Sequence, residues 1–391
     1  MRTMTSLKYL SISECNLRYV PSTLWMFTSL TTLDLSRNKL GLIVPDIGNL
    51  NNLSYLYLSQ CHITTLPGEI AFCTELIEII LMANQIESLP DTLKDCKKLK
   101  YLRMSFRTFS TLLDTYMENL ISKGQIKSEH IPVVVFDLEN LSILDLKHTK
   151  INNLPENNLQ NLQDLHLDYN YFDSFTDSNF TKMSTTLKCL TVSHNLLRTI
   201  PNEINELKNL EVLDLSFNSI EALPNEFKIN NIKELYLNNN NLHHLNDSLS
   251  QFKYSLTKLD LERNHLMDLH ESLFQMNNLI YLNLSYNNLK KLPPGLCKIK
   301  SLKLAHSYEK LNKTGMWVIG NPLYIPPKSI WQTQKINKIF DYLSMYDQRN
   351  LNYVFYSKLI FIGESGIGKS RLIDAFFDKR TEFDDNNDIG K

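Results

Sequence analysis

No stretch of this 391-residue sequence approaches the ~20 consecutive apolar residues that a membrane-spanning helix needs. Its opening residues, MRTMTSLKYL, lack the apolar core of a secretory leader, so a soluble, cytoplasmic chain without an integral membrane segment is expected. Net charge is equally scarce. The 41 Lys+Arg meet 42 Asp+Glu, and a balance of −1 removes the sequence-independent phosphate attraction on which general nucleic-acid binders rely. The six cysteines, Cys15, Cys61, Cys73, Cys96, Cys189 and Cys297, contain no CxxC pair and no zinc-ligand spacing. They read as reduced thiols in an intracellular compartment. Disorder is excluded as well, because 43% hydrophobic against 21% charged residues is the balance of a folded protein.

What the sequence has instead is repetition. The pattern LxxLxLxxNxL recurs, usually with LP four residues later. Taking its first apolar residue as a marker, Leu7, Leu30, Leu53, Leu76 and Leu99 follow one another at 23 residues. Leu141, Leu162, Leu187, Leu210, Ile232, Leu256 and Leu279 continue it, at spacings between 21 and 25. Only the step from Leu99 to Leu141 is an outlier, at 42. Pro21, Pro67, Pro90, Pro201 and Pro293 each stand nine residues before the next marker, and Pro132 stands nine before Leu141. An insertion of nineteen residues therefore falls within about Phe109–Ile131, and its TLLDTYMENLISKG stretch has the apolar spacing of a helix ended by Gly124. Packing of that helix on the array is the plain reading, and a partner-binding flap is the alternative.

Within one repeat, LTTLDLSRNKL alternates Leu33 and Leu35 with polar residues, the period of a strand buried on one face. Asn38, Asn84, Asn170, Asn195, Asn218, Asn240, Asn264 and Asn287 sit at the turn that follows, where an amide can satisfy the backbone of the adjoining coil. Cys15, Cys61 and Thr149 fill the same slot and read as structural. The array resembles the 23-residue intracellular type of leucine-rich repeat, which implies an α/β solenoid of parallel strands with a broad concave face. Twelve such strands make a ribbon roughly 50 Å long with no catalytic cleft.

Residues two, four, six and seven after each marker point away from the leucines. They supply Tyr55, Tyr57, Tyr101, Phe106, His166, Tyr169, Phe217, Tyr236, Tyr281 and Tyr286, interspersed with charge, which is the composition favoured at protein-binding hot spots. A protein ligand is expected there. Asp164, His166 and Asp168 alternate on one strand without matching ligands at the same offsets next door, so a solvated polar patch is expected rather than a metal site.

After Leu302 the pattern blurs and returns once as MWVIGNPLYIPP, with Asn321 in the amide slot. Ile330–Leu343 then places apolar residues as an amphipathic helix that would cap the last coil. Beyond it comes KLIFIGESGIGKSRLIDAFF. A short apolar strand runs directly into Gly363, Glu364, Ser365, Gly366, Ile367, Gly368, Lys369 and Ser370, and a helical stretch follows. That is the context of a phosphate-binding P-loop. Backbone N–H groups would cradle phosphate, Lys369 would reach the β- and γ-phosphates, and the Ser370 hydroxyl would bind Mg²⁺.

Repeats, NPLxxPP, an amphipathic helix and a small-GTPase-like P-loop, in that order, resemble the Roco proteins. The resemblance implies a Ras-like GTPase unit after the repeats, GTP/GDP with Mg as ligand, and dimerisation or kinase domains further on. Only 21 residues follow Ser370, so no DxxG or NKxD segment can be placed and no catalytic residue is assigned. The chain is expected to be truncated after the P-loop, with weak nucleotide binding at most, no hydrolysis, and dimerisation only through missing domains. The expected division is 1–325 solenoid, 326–356 capping and linking helix, and 357–391 an incomplete P-loop unit. The alternatives are a pure repeat adaptor with a vestigial P-loop and an ATP-binding signalling module.

Overall fold

The computed structural model describes residues 6–105, 131–176, 179–304, 314–333 and 335–348. The chain divides into two units, Met1–Asp347 and Gln348–Lys391, and the first contains everything described below except the last residue of the final helix. The P-loop residues Gly363–Ser370 and most of the insertion lie outside the described residues.

Thirteen strands of three residues form one parallel sheet in strict chain order. They are β1 (Tyr9–Ser11), β2 (Thr32–Asp34), β3 (Tyr55–Tyr57), β4 (Glu78–Ile80), β5 (Tyr101–Arg103), β6 (Ile143–Asp145) and β7 (Asp164–His166). The rest are β8 (Cys189–Thr191), β9 (Val212–Asp214), β10 (Glu234–Tyr236), β11 (Lys258–Asp260), β12 (Tyr281–Asn283) and β13 (Gly315–Trp317). At the centre of each strand an inward Leu, Ile or Met meets its equivalent next door: Leu33 pairs Leu56, Leu213 pairs Leu235, and Leu282 pairs Met316. Nearly all of these central residues, and the leucines two positions after them, are buried. The register keeps phase across the 42-residue step as well. Leu102 pairs Leu144, and the Met104 N–H donates to the Asp145 carbonyl at 2.8 Å.

Behind the sheet each coil returns through a short helical turn. Pro21, Pro67, Pro90, Pro132, Pro201 and Pro293 each stand immediately before a five-residue 3-10 helix. Proline suits the position because its fixed φ leads the chain into the turn and the missing N–H is not needed there. The long 25-residue coil after Leu162 is filled by phenylalanines: Phe172 and Phe175 stack at 5.0 Å, and Phe180 packs on Phe175 at 5.0 Å.

The amide slot works as a spine. Asn84 Oδ1 accepts from the Cys61 and Ile63 N–H groups at 2.9 and 3.0 Å, while its Nδ2 donates to the Leu58 and Leu81 carbonyls. Asn170, Asn240, Asn264, Asn287 and Asn321 repeat the arrangement. One side chain thus satisfies three or more buried backbone groups that the coil geometry would leave open. Cys61 imitates it with a Sγ bond to the Leu35 carbonyl at 3.1 Å, and Thr149 with an Oγ1 bond to the Leu146 carbonyl at 2.7 Å. Cys15 takes the slot in the first described coil but is exposed, so the structural reading holds for Cys61 and not for Cys15.

At the far end lie α1 (Lys300–Leu304), α2 (Lys328–Trp331) and α3 (Ile336–Gln348). The single helix expected over Ile330–Leu343 is corrected to α2 and α3. The break has a local cause: the Thr333 hydroxyl donates to the Ile330 carbonyl at 2.7 Å and accepts from the Lys335 N–H at 3.3 Å. A side-chain hydroxyl bonded in that way competes with the backbone ladder and ends the first helix before the second begins. Ile336, Ile339, Phe340 and Leu343 of α3 are buried in the same core as the leucine stack.

Candidate partner-binding face

Because each strand puts alternate residues outward, the sheet presents parallel files of side chains at fixed offsets from the marker. In the file through the last residue of each strand, Arg103, Asp145, His166, Thr191, Asp214, Tyr236 and Asp260 stand side by side in register. These outward residues are tied to one another rather than waving in solvent. Tyr57 Oη donates to Glu78 Oε2 at 3.3 Å, Tyr236 Oη to Glu234 Oε2 at 2.6 Å, and Tyr281 Oη to Asp260 Oδ2 at 2.8 Å. Burial and the neighbouring carboxylate push all three phenols upward, so they act as hydrogen-bond donors throughout the physiological range.

The Asp164–His166–Asp168 trio departs from the solvated patch expected of it. Asp168 is only 4% exposed. Its carboxylate accepts from Thr191 Oγ1 at 2.7 Å and from the Ser193 N–H and hydroxyl at 2.8 and 2.9 Å, and it pairs with Lys147 Nζ at 3.0 Å. Burial opposes the charge on Asp168, but the bonds from Thr191 and Lys147 outweigh it and hold the carboxyl below its ordinary range. Burial likewise works against the Lys147 ammonium, and Asp168 more than offsets it. His166, with Nδ1 3.1 Å from Thr191 Oγ1, is held neutral by burial and by the Lys147 cation. Asp168 and His166 therefore belong to a cross-strand clamp with Lys147, Thr191 and Ser193. Among the described residues no group of three or more His, Cys, Asp or Glu is arranged to hold a metal ion.

A second file, seven residues after each marker, carries the aromatic surface. His148, Tyr169, His194 and Phe217 stack face to face at 4.1, 4.0 and 3.9 Å, a ladder crossing four consecutive coils. Tyr169 and Phe217 stay 46% and 41% exposed. Every ring in the ladder has φ between +52° and +57°, a conformation that L-residues with bulky side chains seldom adopt. Asn239 occupies the next place in the file with φ +55°, and it is the residue type that this backbone suits best. Holding rings there costs about 1 kcal/mol each locally, and stacking returns a similar amount.

Of the residues named from sequence, Tyr169 and Phe217 join this ladder, and Tyr286 lies further along the same file with the Arg263 guanidinium 5.2 Å from its ring. Tyr55 is exposed on β3, Tyr101 is half-buried on β5, and Tyr281 packs against Trp317 at 4.8 Å. Phe106 lies outside the described residues. His194 was missed. Its signal was available, since it holds the same offset as Tyr169 and Phe217, but on its own it reads as an isolated polar residue.

None of the six cysteines is in a disulfide among the described residues. Burial pushes the Cys73 thiol up to about 12, Cys96 to about 11 and Cys189 to about 12, so none of these three is a ready nucleophile.

Comparison with known proteins agrees with the coil geometry. The leucine-rich repeat pattern matches residues 160–220 and 254–306, and a second leucine-rich repeat pattern matches 29–50 and 52–73. Fibromodulin of Sus scrofa is 30% identical over 149 residues, which is 38% of this chain and the whole of that sequence. Lumican of Homo sapiens is 30% identical over 179 residues, 45% of this chain and 51% of that one. Among solved structures, a leucine-rich repeat protein of Leptospira interrogans superposes with a TM-score of 0.55 at 25% identity, covering 86% of this chain and 95% of the other. The chain belongs to the leucine-rich repeat family.

Proposed function

We propose that this chain is the interaction scaffold of a Roco-like signalling protein, whose concave face holds a protein partner. The observation that carries the reading is the contrast between a uniform core and an outward face built of exposed aromatics and a cross-strand polar clamp. A coil needs the leucines and the amide spine to stack. It does not need a ring ladder. Tyr and His in such a file resemble the anchors of protein interfaces, where rigid aromatic area counts most.

The second element of the proposal is a nucleotide switch at Gly363–Ser370, supported by the sequence motif and its strand–loop–helix context. Gly363, Gly366 and Gly368 would let backbone N–H groups close on phosphate, Lys369 would supply positive charge, and Ser370 would hold Mg²⁺ for GTP or GDP. The division into 1–325, 326–356 and 357–391 and a cytoplasmic location belong to the same proposal. Six cysteines without a disulfide suit a reducing compartment.

Two measurements test it. Replacing Tyr55 and Tyr57, or Phe217 and Tyr236, by alanine should abolish a cross-linked partner complex while leaving the melting temperature within a few degrees; an unchanged complex removes the face from the account. Titration with fluorescent GTP should show saturable binding that Lys369→Ala removes, whereas identical curves would leave an adaptor with a vestigial P-loop. A preference for ATP over GTP would support the adenine-nucleotide alternative.

A further inference from the structure

The ring ladder does not stand alone. Between it and the sheet edge lie the outward residues of β6 to β11, and their charges are unevenly matched. Seven carboxylates stand at outward positions in these coils: Asp145, Asp164, Asp168, Asp214, Glu234, Asp260 and Glu262, of which Asp145, Asp168 and Asp260 are largely covered by their neighbours. The bases are three, and each already serves one acid: Lys147 pairs with Asp168 at 3.0 Å, Lys258 with Glu234 at 2.8 Å, and Arg263 with Glu262 at 3.5 Å. Asp145, Asp164, Asp214 and Asp260 have no cation within ion-pair distance among the described residues; Lys147 acts on Asp145 and Asp214 from further away, and Ser216 and Tyr281 donate to Asp214 and Asp260. The whole chain has a net charge of only −1, so this face is locally much more acidic than the molecule.

Ladder and carboxylates are complementary to one kind of side chain. The stacked rings cover one another's faces and leave a strip of ring edges, apolar at Phe217 and along the Tyr169 ring, the two exposed large hydrophobic residues of the ladder. Three residues before the ring in the same coils stand Asp145 and Asp214. A long aliphatic stem could lie on the strip while its cationic head reaches the carboxylates, the way Arg and Lys divide themselves between apolar surface and charge. A flexible acid or a phosphate would meet repulsion instead. The occupied length also sets the ligand's form. Six strands at ~4.8 Å give roughly 24 Å from β6 to β11, which an extended segment of about seven residues spans.

We propose that the face between β6 and β11, bounded by the His148–Tyr169–His194–Phe217 ladder, binds an extended arginine-bearing segment of a partner protein. This rests on the protein-binding reading of the concave face and names the chemistry of its ligand. Burial pushes the Asp214 and Asp260 carboxyls upward, and an arriving guanidinium would add positive charge beside them.

The probe is a fluorescein-labelled nine-residue peptide with arginine and serine alternating, compared with its glutamate counterpart by fluorescence anisotropy on the full chain at ~0.15 M salt, where the Debye length is about 8 Å. The arginine peptide should bind at least tenfold more tightly than the glutamate peptide. Asp145→Asn with Asp214→Asn should weaken it at least fivefold. Phe217→Ala should weaken it at least threefold, and Phe217→Tyr should keep it within twofold. Glu203→Gln with Glu271→Gln, on the opposite side of the coils, should change nothing. Should Phe217→Ala not fold by circular dichroism, the aspartate pair and Phe217→Tyr still decide. Equal binding of the two peptides overturns the proposal, as does equal weakening by Glu203→Gln with Glu271→Gln. If the arginine peptide fails while the Tyr55/Tyr57 variant still loses a cross-linked partner, the basic-segment assignment falls and the scaffold reading stands.

Discussion

Two files of side chains run along the sheet one residue apart, and they follow different rules. Eight residues after each marker the position is Asn in nine described coils, each donating to the backbone of the coil before it, and Cys or Thr in the other described coils. Seven residues after the marker it changes from coil to coil: Glu14, Arg37, Gln60, Ala83, then the four stacked rings His148, Tyr169, His194 and Phe217, then Asn239 and Arg263. The backbone conformation at the variable position does not change with the residue: φ is positive there in every described coil, Gly320 at +76° included. Invariance therefore marks what stacking requires, and variation marks what stacking leaves open.

Breaking the invariant file should have the largest effect. Asn240→Ala leaves the Ile220 N–H without its partner and removes one of the two amide donors from each of the Leu215 and Leu237 carbonyls, and urea unfolding should show a loss of about 2–3 kcal/mol. The polar clamp comes next. Lys147→Ala strands the buried Asp168 carboxylate, and because Lys147 is itself about one-third exposed, a loss of roughly 1–2 kcal/mol is expected. A loss as large as that of Asn240→Ala would mean that the outward face is as structural as the spine.

The pH dependence should be the smallest effect and has a definite sign. His166 and His194 are both held below the ordinary value of 6.5, chiefly by burial. The unfolded chain then takes up protons first, so stability falls as pH drops from about 7 through 6.5 toward the depressed folded values. His166→Asn should flatten that part of the profile, measured by urea midpoint against pH. Asp168 acts lower down: its depressed folded value contributes stability above the ordinary carboxylate range, and that contribution disappears as pH falls through the folded value.

The coil register was legible in the sequence because the leucines that fix it are the leucines that pair. Leu102 and Leu144 lie 42 residues apart and still meet, as the position of Pro132 implied. The amide spine was legible for the same reason. The ring ladder was not, because stacking joins residues 21 to 25 positions apart and only the folded coil shows which offset faces which. Asp168 misled for a related reason: a carboxylate on an outward strand position looks solvated until Ser193 and Thr191 of the next coil are placed beside it. The split between α2 and α3 turned on one threonine hydroxyl, a local bond that apolar spacing does not report.

The contrast between the two files is tested most directly where they touch, at Tyr169 and Asn170. Asn170 is 3% exposed and bonds the Thr149 and Ile151 N–H groups and the Leu146 and Leu167 carbonyls, whereas Tyr169 is stacked but 46% exposed. Unfolding free energies of Asn170→Ala and Tyr169→Ala, measured side by side in urea, should differ by about 2 kcal/mol or more, with Tyr169→Ala losing no more than about 1 kcal/mol. Equal losses, or a larger loss for Tyr169→Ala, would contradict the assignment of one file to the fold and the other to a partner.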